Sequence, residues 1–358
     1  MSRPAKRTPE VYQMIAERIL RGDYSRGPLP STRKLGAEFG VSKFTILRAF
    51  RQAEKEGILA LKGRNRIATG KSAARKKGLR IACVVPARDL ASSFHWFLSI
   101  DNIASKHDGS ATLVDYRSAS DPRLTLALGG KYDVIFLDPP HGQLTPLVRR
   151  LLKENQARIV PLYEDIPELE LWGIDNMPVD AVDLLVFHLA SLGHRKIHLL
   201  GSLPLIGRQK QLVDRWTSRL QAVGASGEPF FPAMESDCLA SGAMSTARDF
   251  LAAHPAPEAI LFADLPAAIG GYRALWEAGI KIGPETSVAA LTCEPEALLM
   301  TPSLTSLEVP SRESVIEEAV KAVLKGATAT RRNWAEAVIP QIRLLQGESS
   351  SARRRPAA

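Results

Sequence analysis

Short apolar runs alternate with amphipathic helical patterns along most of this chain, and this alternation restricts the fold more than any other feature. Four strand-like runs follow Leu79, and after residue 173 the alternation starts again with three more. Strands separated by helices of roughly 10–15 residues are typical of parallel sheets built from right-handed βαβ units. Two such series predict two doubly wound lobes. Ligands bind these sheets at the carboxyl ends of the strands, so two facing lobes would enclose a cleft.

A chain of 358 residues exceeds one ordinary core and predicts two or three compact units. The predicted strands are LRIACVVP, ATLVDY, VIFLDPP, RIVPLYE, KIHLLG, AILFA and SVAAL. The predicted helices lie around 94–107, 143–155, 178–193, 209–223, 240–254 and 266–279.

Cysteine usage and hydropathy exclude several classes of protein. Cys83, Cys238 and Cys293 are far apart and odd in number, which argues against a disulfide framework and against a CxxC zinc or redox site. No run of about 18 uncharged apolar residues occurs, and no apolar segment follows the basic N-terminus, so we expect neither a membrane span nor a signal peptide. These features favour a reducing, cytoplasmic location.

The positive charge is concentrated at one end of the chain. Residues 1–80 carry 20 Lys and Arg against 6 Asp and Glu, a net charge of +14, which leaves −5 of the total +9 for residues 81–358. A strongly basic terminal unit is the electrostatic signature of binding to a phosphate backbone. Attraction to an anionic lipid surface, or a merely solvated basic face, is the alternative that charge alone leaves open.

The pattern inside the basic unit favours nucleic acid. Apolar residues recur at helical spacing over Thr8–Arg21, Ser31 is placed to cap a second helix that ends at Gly40, and Ser42 is placed to cap a third. Two helices joined by a tight turn form a helix-turn-helix. After Gly57, two short strands around a basic tip read as a wing. The third helix would bury one apolar stripe and expose a cationic face, formed by Phe44, Arg48, Arg51 and Lys55.

The stretch from Val11 to Gly70 resembles the GntR-type winged helix, with LPSTRKL and GVSKFTI matching its two most distinctive segments. The resemblance implies that Arg33, Lys43 and Thr45 contact DNA, with the wing reaching toward the minor groove. Helix N-termini capped by serine also present N–H groups to a phosphate oxygen. Lys62, Arg64 and Arg66 of the wing suit phosphate or minor-groove contact. The predicted DNA-binding residues are Ser31, Arg33, Ser42, Lys43, Phe44, Thr45, Arg48, Lys62 and Arg64.

The following region resembles the effector domains of LacI/GalR-type regulators. The segments that carry the likeness are GIDNMPVDAVDLLVFHLASLGHRKIHLLGS, ILFADLPAAIGGYRALWEAGIKIGPETSVAAL and PSLTSLEVP. The resemblance implies a two-lobed, periplasmic-binding-protein-like domain that binds a small molecule, most simply a sugar or a related metabolite. By position in that resemblance, the predicted effector-binding residues are Asp89, Ser92, His95, Trp96, Glu164, Arg208, Asp264 and Thr292. A packing role for Trp96 and a capping or ion-pairing role for Glu164 and Asp264 stay open.

We therefore expect an α/β fold: an N-terminal winged helix-turn-helix followed by a two-lobed domain of doubly wound parallel sheets. The predicted boundaries are 1–70 for the DNA-binding domain, 71–78 for a basic linker, 79–345 for the effector domain and 346–358 for a disordered basic tail. Within the effector domain, lobe 1 is assigned about 79–172 and 296–325, and lobe 2 about 173–295 and 326–345.

The predicted function is that of a DNA-binding transcriptional regulator, a repressor acting as a homodimer, whose operator affinity a small molecule controls. No catalytic motif, metal-ligand spacing or complete cofactor fingerprint is present, so we expect no enzyme, no metal and no cofactor. The alternative is a ligand-sensing or enzyme-like domain that binds nucleic acid only nonspecifically.

Overall fold

The computed structural model describes residues 8–21, 24, 29–55, 59–62, 65–68, 78–87, 90–140, 144–234, 236–326 and 341–353. The chain divides into two compact units, Met1–Gly78 and Leu79–Ala358. Within the described ranges, no helix has both the length and the apolar character needed to cross a membrane.

The first unit consists of three helices and a two-stranded sheet. Its elements are α1 (Thr8–Arg21), α2 (Thr32–Phe39), α3 (Lys43–Lys55), β1 (Leu59–Lys62) and β2 (Asn65–Ala68), the two strands being antiparallel. Ser31 Oγ accepts a hydrogen bond from Lys34 N at 3.2 Å and begins α2, and Gly40 ends it with a left-handed φ of 67°. The predicted helix-turn-helix and its caps are confirmed.

One apolar core holds the first unit together. Ile46, Ala49, Phe50 and Ala53 form the buried stripe of α3. They pack against Val11, Ile15, Ile19, Leu29, Leu35, Phe39 and Leu59. Because every third or fourth position of α3 faces this core, the exposed positions lie together on the other side of the helix.

The second unit begins with a parallel sheet in the order β4-β3-β5-β6, which is the core of lobe 1. Its elements are β3 (Arg80–Pro86), α4 (Leu90–Lys106), β4 (Ser110–Tyr116), α5 (Pro122–Leu128), β5 (Val134–Leu137), α6 (Pro146–Glu154) and β6 (Ile159–Pro161). All four residues of β5 are buried, as expected of a parallel strand covered on both faces. Asp121 and Thr145 cap α5 and α6, each followed by a proline in the first turn.

Lobe 2 repeats this design with a parallel sheet in the order β10-β9-β7-β8. Its elements are α7 (Val182–Ser191), β7 (Ile197–Leu200), α8 (Arg208–Ala222), β8 (Pro229–Phe230), α9 (Leu239–Ala253), β9 (Ala259–Phe262), α10 (Leu265–Glu277) and β10 (Ser287–Ala290). The three longer strands are buried at every position. The predicted fold class is confirmed.

The chain returns to lobe 1 later than the sequence predicts. Pro295–Leu299 forms a 3-10 helix whose Ala297 lies in the lobe 2 core, and β11 (Ser306–Glu308) pairs antiparallel with β12 (Arg343–Leu345). Among the described residues beyond β10, those that join the lobe 1 core belong to α11 (Arg312–Leu324) and are Ile316, Ala319, Val320 and Val323. The predicted switch at residue 296 is therefore wrong, because the apolar side chains up to Leu307 are buried in lobe 2.

The predicted disorder of 346–358 is wrong for residues 346–353. Val288 N, on the edge strand β10, donates to Ser349 O at 2.8 Å, and Ser349 and Ser350 are buried. Arg353 N donates to Leu192 O at 2.8 Å. This polar segment is ordered by hydrogen bonds to a sheet edge, which a search for apolar periodicity does not detect. Residues 354–358 and the predicted linker residues 71–77 lie outside the described residues.

Candidate DNA-binding surface and effector cleft

The exposed face of α3 is cationic and carries one large apolar side chain. Ser42 Oγ accepts a hydrogen bond from Thr45 N at 3.1 Å and lies 2.9 Å from Thr45 Oγ1, which fixes the first turn of the helix. Lys43 and Phe44 follow Ser42 and are exposed, and Phe44 is 74% exposed. Arg48, Arg51 and Lys55 continue the exposed face toward the C-terminus of the helix.

The N-terminus of α2 presents a second group of predicted DNA contacts. Ser31 caps the helix, and Arg33 in its first turn is exposed. Arg18 of α1 pairs with Glu38 of α2 at 2.6 Å and stacks over the Phe39 ring at 4.8 Å. These two contacts join α1 to α2, so Arg18 has a structural role.

Arg66 of the wing faces the protein, in contrast to the sequence prediction. Its Nε lies 2.6 Å from Glu54 Oε1 of α3, and its guanidinium lies 5.0 Å from the centre of the Phe50 ring. Arg66 therefore attaches the wing to α3 instead of projecting toward phosphate. Arg64 and the side chain of Lys62 lie outside the described residues.

In the second unit, a cavity of about 140 Å³ lies between the two lobes, at the carboxyl ends of both parallel sheets. Lobe 1 contributes residues that follow β3, β5 and β6, and lobe 2 contributes residues that follow β7, β9 and β10. The polar lining consists of Asp138, Tyr163, Glu164, Asp175, Asn176, Ser202, Arg208, Gln209, Asp264, Thr292, Cys293, Glu294 and Arg312. The predicted cleft is thus present, with Glu164, Arg208, Asp264 and Thr292 in its wall.

Arg208 is the first residue of α8. It binds the crossover segment, residues 163–177, through which the chain passes from lobe 1 to lobe 2. Its guanidinium donates to Asp175 Oδ2, to Tyr163 O at 3.2 Å and to Met177 O at 2.7 Å. Gly207, which precedes it, has φ 50° and ψ −125°. This positive φ favours glycine, and a Cβ here would also lie 3.1 Å from Glu164 Oε2, a tight contact with a flexible side chain.

A second arginine, Arg312, also joins the two lobes. Arg312, the first residue of α11, pairs with Glu294, which follows β10, and its Nη2 lies 3.5 Å from Cys293 Sγ. The two side chains are 14% and 9% exposed. Burial raises the pKa of the Cys293 thiol to about 11, so this cysteine is a neutral part of the lining.

Two buried oxygens in the wall make no hydrogen bond within the described structure. Ser202 Oγ belongs to a fully buried residue, and Gln209 Oε1 belongs to a residue that is 7% exposed. Leaving such an atom unpaired costs about 1–3 kcal/mol, and both residues line the cavity. Neither residue was predicted, although Ser202 directly follows the strand KIHLLG, which is the position where a ligand contact is expected.

Like Arg208, the predicted contacts Asp264 and Thr292 have partners within the protein. Asp264 Oδ1 accepts from Ala267 N at 2.7 Å and caps α10, which is the alternative the sequence left open. Thr292 Oγ1 accepts from Glu294 N at 3.2 Å. Asp264 Oδ2 also accepts from Ser202 N at 3.4 Å, and both residues line the cavity.

Trp96 does not line the cavity, so the prediction that it faces the cleft is wrong. It is 1% exposed in the lobe 1 core, with its ring edge-on to Tyr163 at 5.6 Å between centroids and 5.8 Å from the Arg312 guanidinium. The helix α4 begins at Leu90, which places Trp96 on the same buried face as Ile100 and Ile103. Trp96 therefore packs against two residues of the cavity wall, Tyr163 and Arg312.

His95 also lies outside the cavity wall, and the prediction for it is wrong in the same sense. Its Nε2 is 3.1 Å from Glu296 Oε1 and 3.6 Å from Glu294 Oε2, which connects α4 of lobe 1 to the segment after β10. Asp89 and the side chain of Ser92 lie outside the described residues.

Two clusters of described side chains bring three potential metal ligands within 4.8 Å of one another: His95, Glu294 and Glu296, and His198, Glu228 and His254. In the second cluster, His198 Nδ1 accepts from Glu228 N at 3.3 Å and its ring packs at 5.0 Å from that of Phe250. A ligating histidine ordinarily donates its second ring N–H, so this bond opposes coordination through Nε2. In the first cluster, Glu294 is already paired with Arg312.

Comparisons with known proteins agree with this architecture. The family described as "Bacterial regulatory proteins, gntR family" matches residues 7–68, and the "Periplasmic binding protein-like domain" matches residues 186–350. A lactose operon repressor from Rhizobium radiobacter is 37% identical over 79 residues, which is 22% of this chain and 69% of that protein.

The fold is shared with solved structures of LacI-type regulators. The lac repressor dimer bound to operator and the anti-inducer ONPF superposes with a TM-score of 0.61 and 17% identity, over 79% of this chain and 98% of that one. A LacI family regulator from Arthrobacter sp. FB24 in complex with lactose superposes with a TM-score of 0.59 and 20% identity, over 76% of this chain and 99% of that one. The chain belongs to the LacI-type transcriptional regulators, with a GntR-type winged helix-turn-helix as its DNA-binding domain and a periplasmic-binding-protein-like domain for its ligand.

Proposed function

We propose that this regulator is a repressor that binds a specific operator as a homodimer, and that a small polyhydroxylated metabolite in the cleft changes its operator affinity. The proposal rests chiefly on one observation: Ser202 Oγ and Gln209 Oε1 are buried in the wall of an interlobe cavity and make no hydrogen bond in the described structure. A ligand that hydrogen-bonds to both atoms offsets their desolvation.

The chemistry of the lining supports a ligand rich in hydroxyl groups. The lining holds five carboxylates and two guanidinium groups, and those of Arg208 and Arg312 are paired with Asp175 and Glu294. Hydroxyl groups would donate to the acidic wall, and the Tyr163 ring would cover an apolar face of a sugar. The Arthrobacter relative, whose structure is a complex with lactose, lends support to this ligand class. The carboxylates of the wall are Asp138, Glu164, Asp175, Asp264 and Glu294.

Through the same lining residues, ligand binding would change how the two lobes are arranged. Arg208 binds the crossover at Asp175, and Arg312 of the lobe 1 helix α11 binds Glu294 beyond β10. A ligand that competes with or strengthens these pairs favours one lobe arrangement over another. A coupling of about 1–3 kcal/mol would change operator affinity about 5- to 150-fold.

Two copies of α3, the recognition helix of the winged helix-turn-helix, would read a two-fold operator. The lac repressor with the same fold is a dimer bound to operator, which supports a homodimer here. Half-sites about one helical turn apart place both recognition helices on one side of the duplex. We assign the contacts to Ser42, Lys43, Phe44, Thr45 and Arg48 of the recognition segment, with Ser31 and Arg33 of α2, and with Lys62 and Arg64 of the wing.

Selection of duplexes from a random pool by the full-length protein tests the DNA half of this proposal. We expect a two-fold sequence that binds at least about 1000-fold more tightly than its scrambled counterpart. Equal binding to both duplexes would favour the alternative, a ligand-sensing or enzyme-like protein with only nonspecific nucleic-acid affinity.

A thermal-shift screen of sugars, sugar acids and polyols tests the ligand half. A ligand at 100 times its dissociation constant should add about 2.7 kcal/mol of stability. Gln209→Met and Ser202→Ala should abolish this shift and leave operator binding in place. Gln211→Met, an exposed position on the same helix, is the matched control and should keep the shift. Recovery of the ligand unchanged after incubation would support a sensor without catalytic activity.

A further inference from the structure

The phenyl ring of Phe44 is exposed at the N-terminal end of the recognition helix α3. It is 74% exposed, the second residue of the helix, and lies beside Lys43 and Thr45. The Ser42–Thr45 hydrogen bonds fix the backbone of this turn, so the ring projects from an ordered position. Phe44 has no part in the core of the first unit, whose buried members on α3 are Ile46, Ala49, Phe50 and Ala53.

The surroundings of Phe44 indicate what it contacts. Arg48 and Arg51 continue the same exposed face, and the sole acidic residue in the sequence of α3, Glu54, is paired with Arg66. An aromatic ring on a cationic helix face complements nucleic acid, in which the first turn of a recognition helix approaches base edges in the major groove. The ring has no donor or acceptor with which to read the polar edges of bases. The apolar feature of the major groove is the 5-methyl group of thymine.

We propose that Phe44 reads a thymine methyl group in each operator half-site and thereby determines part of the specificity. This inference rests on the proposed operator binding and adds the base atom that is recognised. Arg48 lies one helical turn, about 5.4 Å, further along the face. Its contact would therefore fall one to two base pairs from the thymine, at the roughly 3.4 Å spacing of stacked bases.

Deoxyuridine substitution isolates this methyl group. It removes only the 5-methyl of thymine and keeps the base pair, the O4 acceptor and the backbone charge. The probe is the duplex that the full-length protein selects from a random pool, with each thymine replaced in turn. For the wild type we expect one position per half-site to lose about fourfold in affinity, the effect of one buried methyl group.

Phe44→Ala supplies the second arm of the experiment. It should bind the unmodified duplex more weakly and should no longer distinguish thymine from deoxyuridine at that position. Phe44→Leu, which keeps an apolar side chain, should retain part of the discrimination. Because the ring is exposed, the thermal unfolding of Phe44→Ala should match that of the wild type, which separates lost contact from lost fold.

The outcomes separate the inference from the function on which it rests. If the protein selects no sequence, operator binding itself fails. If deoxyuridine leaves the affinity for the selected operator unchanged at every position, Phe44 does not read thymine. This holds even if Phe44→Ala weakens binding, because the ring could then contact a sugar or insert between two base pairs. Equal deoxyuridine sensitivity in the wild type and in Phe44→Ala would likewise overturn the assignment.

Discussion

Arg312 and Glu294 form a buried ion pair that joins the two lobes across the effector cleft. Arg312 opens α11, which packs into lobe 1, whereas Glu294 follows β10 of lobe 2. Both line the cavity, and the Trp96 ring lies beneath the guanidinium at 5.8 Å. The pair therefore belongs both to the contact between the lobes and to the wall of the cavity.

Removing one member of this pair should destabilise the effector domain strongly. Arg312→Gln leaves the Glu294 carboxylate, 9% exposed, without its cationic partner, and loss of one partner of a buried pair costs about 3–5 kcal/mol. Denaturant unfolding followed by tryptophan fluorescence measures this, since all five tryptophans lie beyond residue 79. Arg150→Gln breaks an exposed pair with Glu154 and should change stability by less than about 0.5 kcal/mol.

A double variant decides whether the ion pair itself carries the effect. Replacing Arg312 and Glu294 together with Met removes both charges, so it should be less destabilising than Arg312→Gln alone. A double variant as unstable as the sum of the two single variants would show that the residues act independently.

Arg51 and Arg66 are both basic residues of the first unit, but their substitution should change different properties: DNA affinity for Arg51 and stability for Arg66. Arg51 is exposed on α3, so Arg51→Met should lower the magnitude of the salt-dependence slope of DNA affinity by about 0.9 if it contacts phosphate. Arg66 is paired with Glu54 and stacked on Phe50, so Arg66→Met should leave the slope unchanged and lower the stability of the first unit by about 1–2 kcal/mol. Fluorescence anisotropy at several salt concentrations and thermal unfolding by circular dichroism provide the two readouts. A loss of slope in Arg66→Met would place this arginine on DNA.

Gly207→Ala should disturb the cleft more than an ordinary glycine substitution. Its φ of 50° and ψ of −125° match the first central position of a type II′ turn, which glycine dominates. The added Cβ would also lie 3.1 Å from Glu164 Oε2. We expect a loss of about 1–3 kcal/mol together with weaker ligand binding, because Arg208 and Gln209 follow directly. Gly224→Ala, with φ 65° and no atom within 4 Å, is the control at the other end of α8 and should cost about 1 kcal/mol without affecting the ligand.

The stability of lobe 2 should fall as the pH drops from about 6.5 to 4. Burial, followed by the neighbouring His254, lowers the pKa of His198 to about 4 from its ordinary value of 6.5. The unfolded chain therefore takes up a proton over this interval that the folded lobe excludes, so the stabilisation is complete above pH 6.5 and is lost on acidification. His198 alone accounts for about 2–3 kcal/mol, and burial lowers the pKa of His188 and His194 in the same direction.

His198→Phe, whose ring can pack against Phe250, tests this assignment. The difference in unfolding free energy between pH 7 and pH 5 should shrink relative to the wild type. An unchanged difference would mean that His198 does not exclude the proton.

The sequence predicts the elements of this protein better than it predicts the walls of its cleft. Strands such as VIFL of β5 are continuous apolar runs because they are buried on both faces, and such runs are visible without a structure. The cleft, in contrast, is assembled from loops that follow different strands. Ser202 could have been found from its place after a strand, but nothing local marks Arg312, which reaches the cavity only because α11 returns to lobe 1.

Trp96 shows how a correct segment can yield a wrong role. It lies where the resemblance expects a ligand contact, but its spacing from Ile100 and Ile103, four and seven residues, is that of one buried helix face. A helical reading that begins at Leu90 would have assigned it to the core. The two wrong boundaries, residue 296 and the tail, share another cause: both segments are held by long-range hydrogen bonds and packing that leave no periodic signal.

Removal of the C-terminal segment should therefore destabilise lobe 2. Truncation after Gln346 deletes Ser349, whose backbone O accepts from Val288 N at 2.8 Å and whose Oγ accepts from Thr305 N at 2.8 Å. Each lost hydrogen bond contributes about 0.5–1.5 kcal/mol, so the loss of several should amount to about 3–5 kcal/mol. The uncovered edge of β10 should also promote aggregation.

Truncation after Arg353 is the control for this effect, because it shortens the chain but keeps every described contact of the segment. Ser349→Ala provides a milder companion, since it leaves Thr305 N and Val288 O without their side-chain partner and should cost about 1–3 kcal/mol. Tryptophan fluorescence in denaturant measures all three variants. If the two truncations were equally stable, the serine segment would contribute nothing to lobe 2, and the edge of β10 would be stable without its cover.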